Sequence, residues 1–425
     1  MVKILLIIII LFLPLQFALN IGSDFDLVVT RVLIPVLFIL WLARGMARKK
    51  IWIPNRFETW LILIFLALSG ASLVLGRDAS EGARKLLYFL SIFPVYFVAA
   101  DVFWDEKWKK RGILAIFLSG TLAAVIAIIQ FSLPYFLGVG KAVKIWESIA
   151  PHFLGNSFSA LVAANSSWLV NLGGVTRMRA FGFFPDPHNF AFFVNLCIFV
   201  GLGIWFSPRK NISRVWLQLG LVLMLLSVML SFSRGAYLGL IAGIIFFAFV
   251  SLKRSGVLGK AAAGLGLALV LIFIFSPTSI SSRLSSSFNL REGSNVERLK
   301  NWTQAVSVIQ NYPIGGVGLG NYSREIAPTA PDRSSIYAHN LFLDIAAETG
   351  ILNAIVFLIL ILVSVWRNLK SRDMVGLGAA AGLVAYLVHS LFDTALYSPQ
   401  VLVILLILIA IDTTDNSKFK DQNSK

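Results

Sequence analysis

Apolar stretches of about 17–25 residues, the length an α-helix needs to cross a bilayer, recur along this whole chain. Twelve are read: 3–21, 27–43, 58–75, 84–101, 112–134, 187–206, 213–231, 236–251, 259–276, 340–365, 375–391 and 396–411. Inside hydrocarbon every backbone polar group must be satisfied within its own segment, so each stretch is expected to be helical. The predicted fold class is therefore all-α: a polytopic membrane protein with about 12 transmembrane helices, or eleven. Composition agrees, because 14% charged and 57% hydrophobic residues leave too little polar surface for a soluble protein and too much apolar surface for a disordered one. The single cysteine, Cys197, excludes a disulfide framework. Residues 3–21 share the charge and apolar run of a signal peptide, but lack small-residue cleavage signals around Gln16 to Gly22 and are read as a helix.

The net charge of +16 invites a nucleic-acid reading until the charges are placed. With the amino terminus inside, alternate loops collect Lys3, then Arg44 to Arg56, Lys107 to Arg111, Arg209 to Arg214, Lys253 to Lys260, Arg367 to Arg372 and the terminal lysines. These make 22 of the 37 basic residues. The short outer connections 22–26 and 392–395 carry none, and 232–235 only Arg234. Arg77, Arg84 and Lys85, around the connection at 76–83, are the one weak point. The bias follows the positive-inside rule, puts both termini in the cytoplasm, and makes the basic charge a topology signal with an affinity for membrane lipids. No nucleic-acid partner is expected.

This topology leaves two long outer segments, 135–186 and 277–338, and places His152, His188, His339 and His389 on the outer side. Ser279 to Ser287 form a serine-rich stretch. Asn295 to Gln310 follow with helical spacing, Val296, Leu299, Trp302, Val306 and Ile309 on one face, and then comes a glycine loop from Asn311 to Gly320. That loop does not match GxxxxGK[ST], so a phosphate loop is not expected.

Polar groups gather at the outer rim. Asn340, Asp344 and Glu348 recur at four-residue spacing and share one helical face, with His339 at the helix mouth. A histidine there can take a proton from a hydroxyl; capping of the helix is the plainer alternative. In Ser231–Phe232–Ser233–Arg234–Gly235 an arginine is pinned between two apolar stretches, suited to phosphate or to snorkelling. Arg298 and Lys300 lie on the surface helix. Arg179 precedes Phe181–Gly182–Phe183–Phe184–Pro185–Asp186–Pro187–His188–Asn189, a rigid re-entry. His389 and Asp393, four apart, could orient one another or face water. HExxH, GxSxG and SxxK are absent. Fixed arginines and a neutral base suit a substrate carrying its own leaving group, such as a lipid diphosphate, with no metal and no cofactor.

The segments SFSRGAYLGL, RLKNWTQAVSVIQNYPIGGVGLGNY, AHNLFLDIAAETGIL and HSLFD, in that order over residues 175–395, resemble the O-antigen ligase and polymerase superfamily. The resemblance implies a metal-independent glycosyltransferase in the bacterial inner membrane, moving a glycan from undecaprenyl diphosphate to a lipid or glycan acceptor on the periplasmic face. It implies diphosphate binding by Arg234 and Arg298, a similar role for Arg179, and acceptor activation by His339. Asn340, Asp344, Glu348, His389 and Asp393 are expected to support them. The expected organisation is membrane helices at 1–134, an outer segment at 135–186, helices at 187–276, a large periplasmic loop at 277–338, helices at 339–412 and a cytoplasmic tail at 413–425. A polymerase of the same superfamily and a polysaccharide flippase are the competing readings. The flippase lacks support from repeat halves or midplane polar residues.

Overall fold

The computed structural model describes residues 1–20, 26–164, 167–172, 174–207, 213–254, 260, 264, 293–329, 337–371 and 373–411. Their regular structure is helical apart from two antiparallel ribbons, β1 (Ala18–Asn20) with β2 (Asp26–Val28) and β3 (Leu169–Leu172) with β4 (Val175–Met178). The first half holds α1 (Val2–Phe12), α2 (Val29–Ala47), α3 (Phe57–Ala71), α4 (Ala79–Ile92), α5 (Val95–Val102), α6 (Glu106–Leu137), α7 (Val139–Leu154) and α8 (Asn156–Ala164). The second holds α9 (Pro187–Phe206), α10 (Arg214–Leu230), α11 (Arg234–Arg254), α12 (Gly293–Asn311), α13 (Tyr322–Ile326), α14 (Leu341–Thr349), α15 (Ile351–Lys370), α16 (Met374–His389) and α17 (Pro399–Ala410).

Among the described residues, seven segments are long and apolar enough to span a membrane: 29–47, 57–75, 79–102, 106–137, 187–206, 234–254 and 351–370. Shorter apolar helices at 2–12, 214–230, 374–389 and 399–410 pack with them. Three sequence expectations change. The helix predicted over 3–21 stops at Phe12, just ahead of Pro14, and gives way to β1; proline cannot continue the hydrogen-bond ladder. The span at 84–101 starts earlier and is divided at Pro94 into α4 and α5. The span at 340–365 is two helices, α14 and α15, separated at Gly350. The expected helix at 259–276 and the serine-rich stretch at 279–287 lie outside the described residues, apart from positions 260 and 264.

α9 is the central post, buried along nearly its whole length. It packs on α16, α6, α10 and α11. The α16 surface that meets it is built from small residues, Gly376 to Gly382 being all glycine and alanine except Leu377, which lets two helices approach closely without a hydrophobic driving force from solvent. α17 is buried from Gln400 to Ala410.

Charged loops gather at one end of this bundle. Lys3 Nζ sits 2.9 Å from Asp105, Arg56 donates to the Ala410 carbonyl at 3.1 Å, Arg254 donates to the Ser371 carbonyl at 2.9 Å, and Arg367 pairs with the fully buried Glu58. These are loops that the charge bias groups on one side. The histidine and arginine motifs meet elsewhere, around the turn that follows α16.

Candidate active site

Asp393 is the centre of that meeting. The chain leaves α16 in a tight turn, the amides of Phe392 and Asp393 donating to the His389 carbonyl at 3.0 and 3.2 Å. This carries the Asp393 carboxylate, 4% exposed, into a ring of three imidazoles and one guanidinium from four separate segments. Its Oδ2 lies 2.9 Å from His188 Nδ1, 3.6 Å from the Arg298 guanidinium and 3.8 Å from His389 Nε2. Its Oδ1 lies 3.4 Å from His339 Nδ1. Residues 188, 298, 339 and 393 stand far apart in sequence, and one buried carboxylate brings them together.

His339 sits at the mouth of α14 with its side chain 47% exposed and its backbone in the left-handed region (φ 54°). Such a conformation is uncommon for a non-glycine residue, and strain of this kind clusters at functional sites. The next residue, Asn340, caps α14, its side-chain oxygen accepting from the Phe342 and Leu343 amides at 3.1 and 3.2 Å. The other two members of the predicted polar stripe hold the Asp393 turn rather than entering a span. Asp344 accepts from the Ala338 amide at 2.7 Å and from the Thr394 hydroxyl. Glu348 accepts from the Tyr397 hydroxyl at 2.8 Å and from Lys85 of α4 at 2.6 Å. The Lys85 ammonium also lies over the Tyr397 ring at 4.4 Å and the Tyr337 ring at 5.6 Å.

Asp393, Asp344 and His339 take their proton affinities from these surroundings. Burial would raise the pKa of Asp393, but His188, the His339 contact and Arg298 together outweigh it and hold the carboxyl well below its ordinary range. Asp344 lies outside the 351–370 span; burial pushes its carboxyl up to about 6, Glu348 adding to the rise, while Thr394, the Ala338 amide and His339 oppose it. For His339, burial disfavours the charged ring, yet the contact and charge of Asp393, helped by Asp344, raise its pKa against Arg298.

The Ser231–Gly235 turn joins the cluster through Ser233, whose Oγ is 2.9 Å from His188 Nδ1. Arg234 is the first residue of α11 and is buried. Gly235 faces His389, which is itself fully buried and stacked on Phe192 with ring centroids 3.5 Å apart. Arg179, matched in the sequence to diphosphate binding, makes hydrogen bonds to backbone. Its Nε donates to the Ser231 carbonyl at 2.7 Å and its guanidinium to the Ser167 carbonyl at 3.0 Å, with 5% of the residue exposed. Gln130 of α6 fixes the same segment, donating to the Arg179 carbonyl at 3.0 Å and accepting from the Phe181 amide at 3.0 Å.

Sequence reasoning missed His188, Lys85, Gln130, Thr394 and Tyr397. Gln130 had a signal, an amide inside an apolar run. Lys85 had one too, since it broke the charge bias of an outer connection.

α12 turns its Arg298, Trp302, Ala305, Val308 and Ile309 side towards α14, with Trp302 near Phe392 at 6.5 Å between rings. Val296, Leu299 and Val306, expected on that same face, are exposed. The glycine loop after it is a packing device. Val317 donates to the Ala347 carbonyl at 2.9 Å and Ile351 to the Pro313 carbonyl at 3.0 Å. At Gly350 (φ 91°) an added Cβ would stand 1.9 Å from the Ile314 carbonyl oxygen, so the α14–α15 break and the loop interlock backbone to backbone.

His188, His389 and Asp393 bring three possible ligand atoms within 4.8 Å of one another, and among the described residues they are the group able to hold a metal ion. The Arg298 guanidinium already faces the same Asp393 oxygen, so an added divalent ion would meet a fixed positive charge at short range.

The fold and this cluster define a class: a multi-helix membrane protein with a histidine and arginine site built on one buried carboxylate at one end of the bundle. Residues 219–358 of this membrane protein, about a third of the chain, match the family model described as O-Antigen ligase, and the likeness to that superfamily rests on this region. The matched region contains Arg234, Arg298 and His339 and ends before His389 and Asp393. No curated protein matches the chain.

Proposed function

We propose that this protein is an O-antigen ligase-like glycosyltransferase of the bacterial inner membrane. It moves a glycan from undecaprenyl diphosphate to an acceptor hydroxyl on lipid A core or another surface acceptor, at the periplasmic face and without a metal. The observation that carries this reading is the Asp393 cluster, which sets a partly exposed histidine beside arginine. With Asp393 accepting from His339 Nδ1, the ring keeps its Nε2 lone pair for the acceptor hydroxyl. The acceptor oxygen bonds the anomeric carbon as the bond to the diphosphate oxygen breaks, and His339 Nε2 takes the hydroxyl proton. Arg298 and Arg234 offset the charge on the departing diphosphate. Arg179 is a positioning residue that holds the Ser231–Arg234 turn by its carbonyl.

The test is reconstitution with undecaprenyl-diphosphate glycan and competing lipid and glycan acceptors, in chelator. Transfer to the lipid acceptor is expected, lost in His339→Ala and Arg234→Ala proteins that remain inserted. Chain extension alone would assign a polymerase of the same superfamily. Translocation without a new glycosidic bond would overturn the enzyme in favour of a flippase, and activity restored by a divalent ion would overturn the metal-free mechanism.

A further inference from the structure

Asp393 has two oxygens with different duties, and the second is held by a residue outside the base and the arginines. His188 is delivered by a rigid element: it is the second residue of α9, whose cap Asp186 accepts from the His188 and Asn189 amides at 2.8 Å each. Its Nδ1 stands 2.9 Å from both Asp393 Oδ2 and Ser233 Oγ. The hydrogen-bond geometry of Nδ1 is met by Ser233 Oγ, and the Asp393 carboxylate faces the same nitrogen at ion-pair distance. The hydroxyl of Ser233, one residue before Arg234, completes the contact.

We propose that His188 is a positioning residue that registers the arginine turn of α11 to the base His339 through Asp393; this rests on the glycosyltransferase reading. The starts of α9, α11 and α14 come from separate stretches of the chain, and transfer needs the acceptor oxygen and the diphosphate leaving group in line. With His188 Nδ1 standing 2.9 Å from Oδ2, Oδ1 faces His339 at 3.4 Å. Without that tie the carboxylate has Arg298 at 3.6 Å and His389 at 3.8 Å as competing partners, and turning towards them withdraws Oδ1 from the base. Both arginines are still present to bind the donor, and what is lost is their alignment with the base, so the defect falls mainly on the chemical step.

The test uses the full-length protein in lipid nanodiscs with His188→Ala and His188→Asn. The Asn amide nitrogen stands where His Nδ1 stood, so it keeps the donor to Asp393 while removing the ring. His188→Ala is expected to lower kcat roughly 100-fold, the order of loss for a misplaced reacting group, with donor KM within about twofold of wild type. His188→Asn is expected to recover most of that loss. Equal loss in both variants would make His188 a packing residue and overturn the proposal, as would an unchanged kcat in His188→Ala. Wild-type protein inactive on every acceptor would count against the enzyme reading instead, and the tether can then be read without turnover. The chain has four histidines, so 15N-histidine labelling resolves their ring nitrogens. His339 is expected as the Nδ1–H tautomer in wild type and His188→Asn, and as a tautomer mixture in His188→Ala; the same tautomer in all three would overturn the tether.

Discussion

Removing the Lys85 ammonium tests how the Asp393 turn is held in place. Lys85 and Glu348 are 263 positions apart in sequence, yet Nζ and Oε1 are 2.6 Å apart with side chains 16% and 5% exposed. At an effective dielectric of 20 that separation corresponds to about 6 kcal/mol of attraction before desolvation is subtracted. Little solvent reaches either group, so the relevant comparison is a buried pair. Deleting one partner of such a pair costs about 3–5 kcal/mol, because the other charge stays buried without compensation. Lys85→Met adds the loss of the contact with the Tyr397 face, about 1 kcal/mol. Glu348→Gln retains an acceptor for Tyr397 but strands the ammonium. Glu348→Gln is expected to lose about 3–5 kcal/mol and Lys85→Met about 4–6 kcal/mol, and Lys85→Met/Glu348→Gln no more than the larger single loss, since neither charge is then left alone. Equilibrium unfolding in detergent micelles, followed by tryptophan fluorescence, measures all four corners of the cycle. Additive losses would refute the pairing, and a Lys85→Met protein as stable as wild type would refute the burial argument. Transfer should fall in Lys85→Met even where His339 is intact, because Tyr397 and Asp393 lie on one turn.

Three other outcomes follow from the same geometry. The raised pKa of His339 means that its neutral, proton-accepting form accumulates only as pH rises above the ordinary value of 6.5, so the acid limb of kcat/KM should lie above that value and move down in Asp393→Asn; a pH–rate profile checks the direction. Asp344, near 6 in the folded protein against 3.8 ordinarily, holds its proton more tightly when folded. Its share of stability is therefore full below about 4 and lost as pH rises through about 6, and Asp344→Asn should flatten that decline relative to wild type in unfolding midpoints taken across the interval. Gly350→Ala places a methyl group 1.9 Å from the Ile314 carbonyl at a φ of 91°, which should cost about 3 kcal/mol or more from backbone strain and overpacking together, measured as unfolding in detergent.

Much of the bundle was readable from periodicity because a membrane helix must be apolar over its length: 187–206 is α9 with the same limits, and 236–251 falls inside α11. Breaks were harder to see. Gly350 interrupts an apolar run without altering hydropathy, and the reason for the interruption, the Ile314 carbonyl packed against it, lies in another segment. The polar stripe Asn340–Asp344–Glu348 was legible as one face of a helix, since that is a property of neighbouring turns. Its partners Thr394, Tyr397 and Lys85 were not, because spacing within one helix carries no record of which other element will face it.

Arg179 and His188 show the same division in opposite directions. Sequence similarity marks Arg179 as a phosphate ligand, and the structure adds that it donates to the Ser231 and Ser167 carbonyls. His188 stood in the sequence as one of four rim histidines, and packing placed it on the oxygen of Asp393 opposite the base. The sequence by itself determined a membrane bundle, the grouping of its charged loops and a short roster of histidines and arginines, because hydropathy, charge bias and motif spacing are local along the chain. Only the tertiary structure decided that Asp393 is the common acceptor among them. A buried carboxylate draws its partners from whichever helices the packing brings to it, and that choice is made by contacts between residues far apart in the chain.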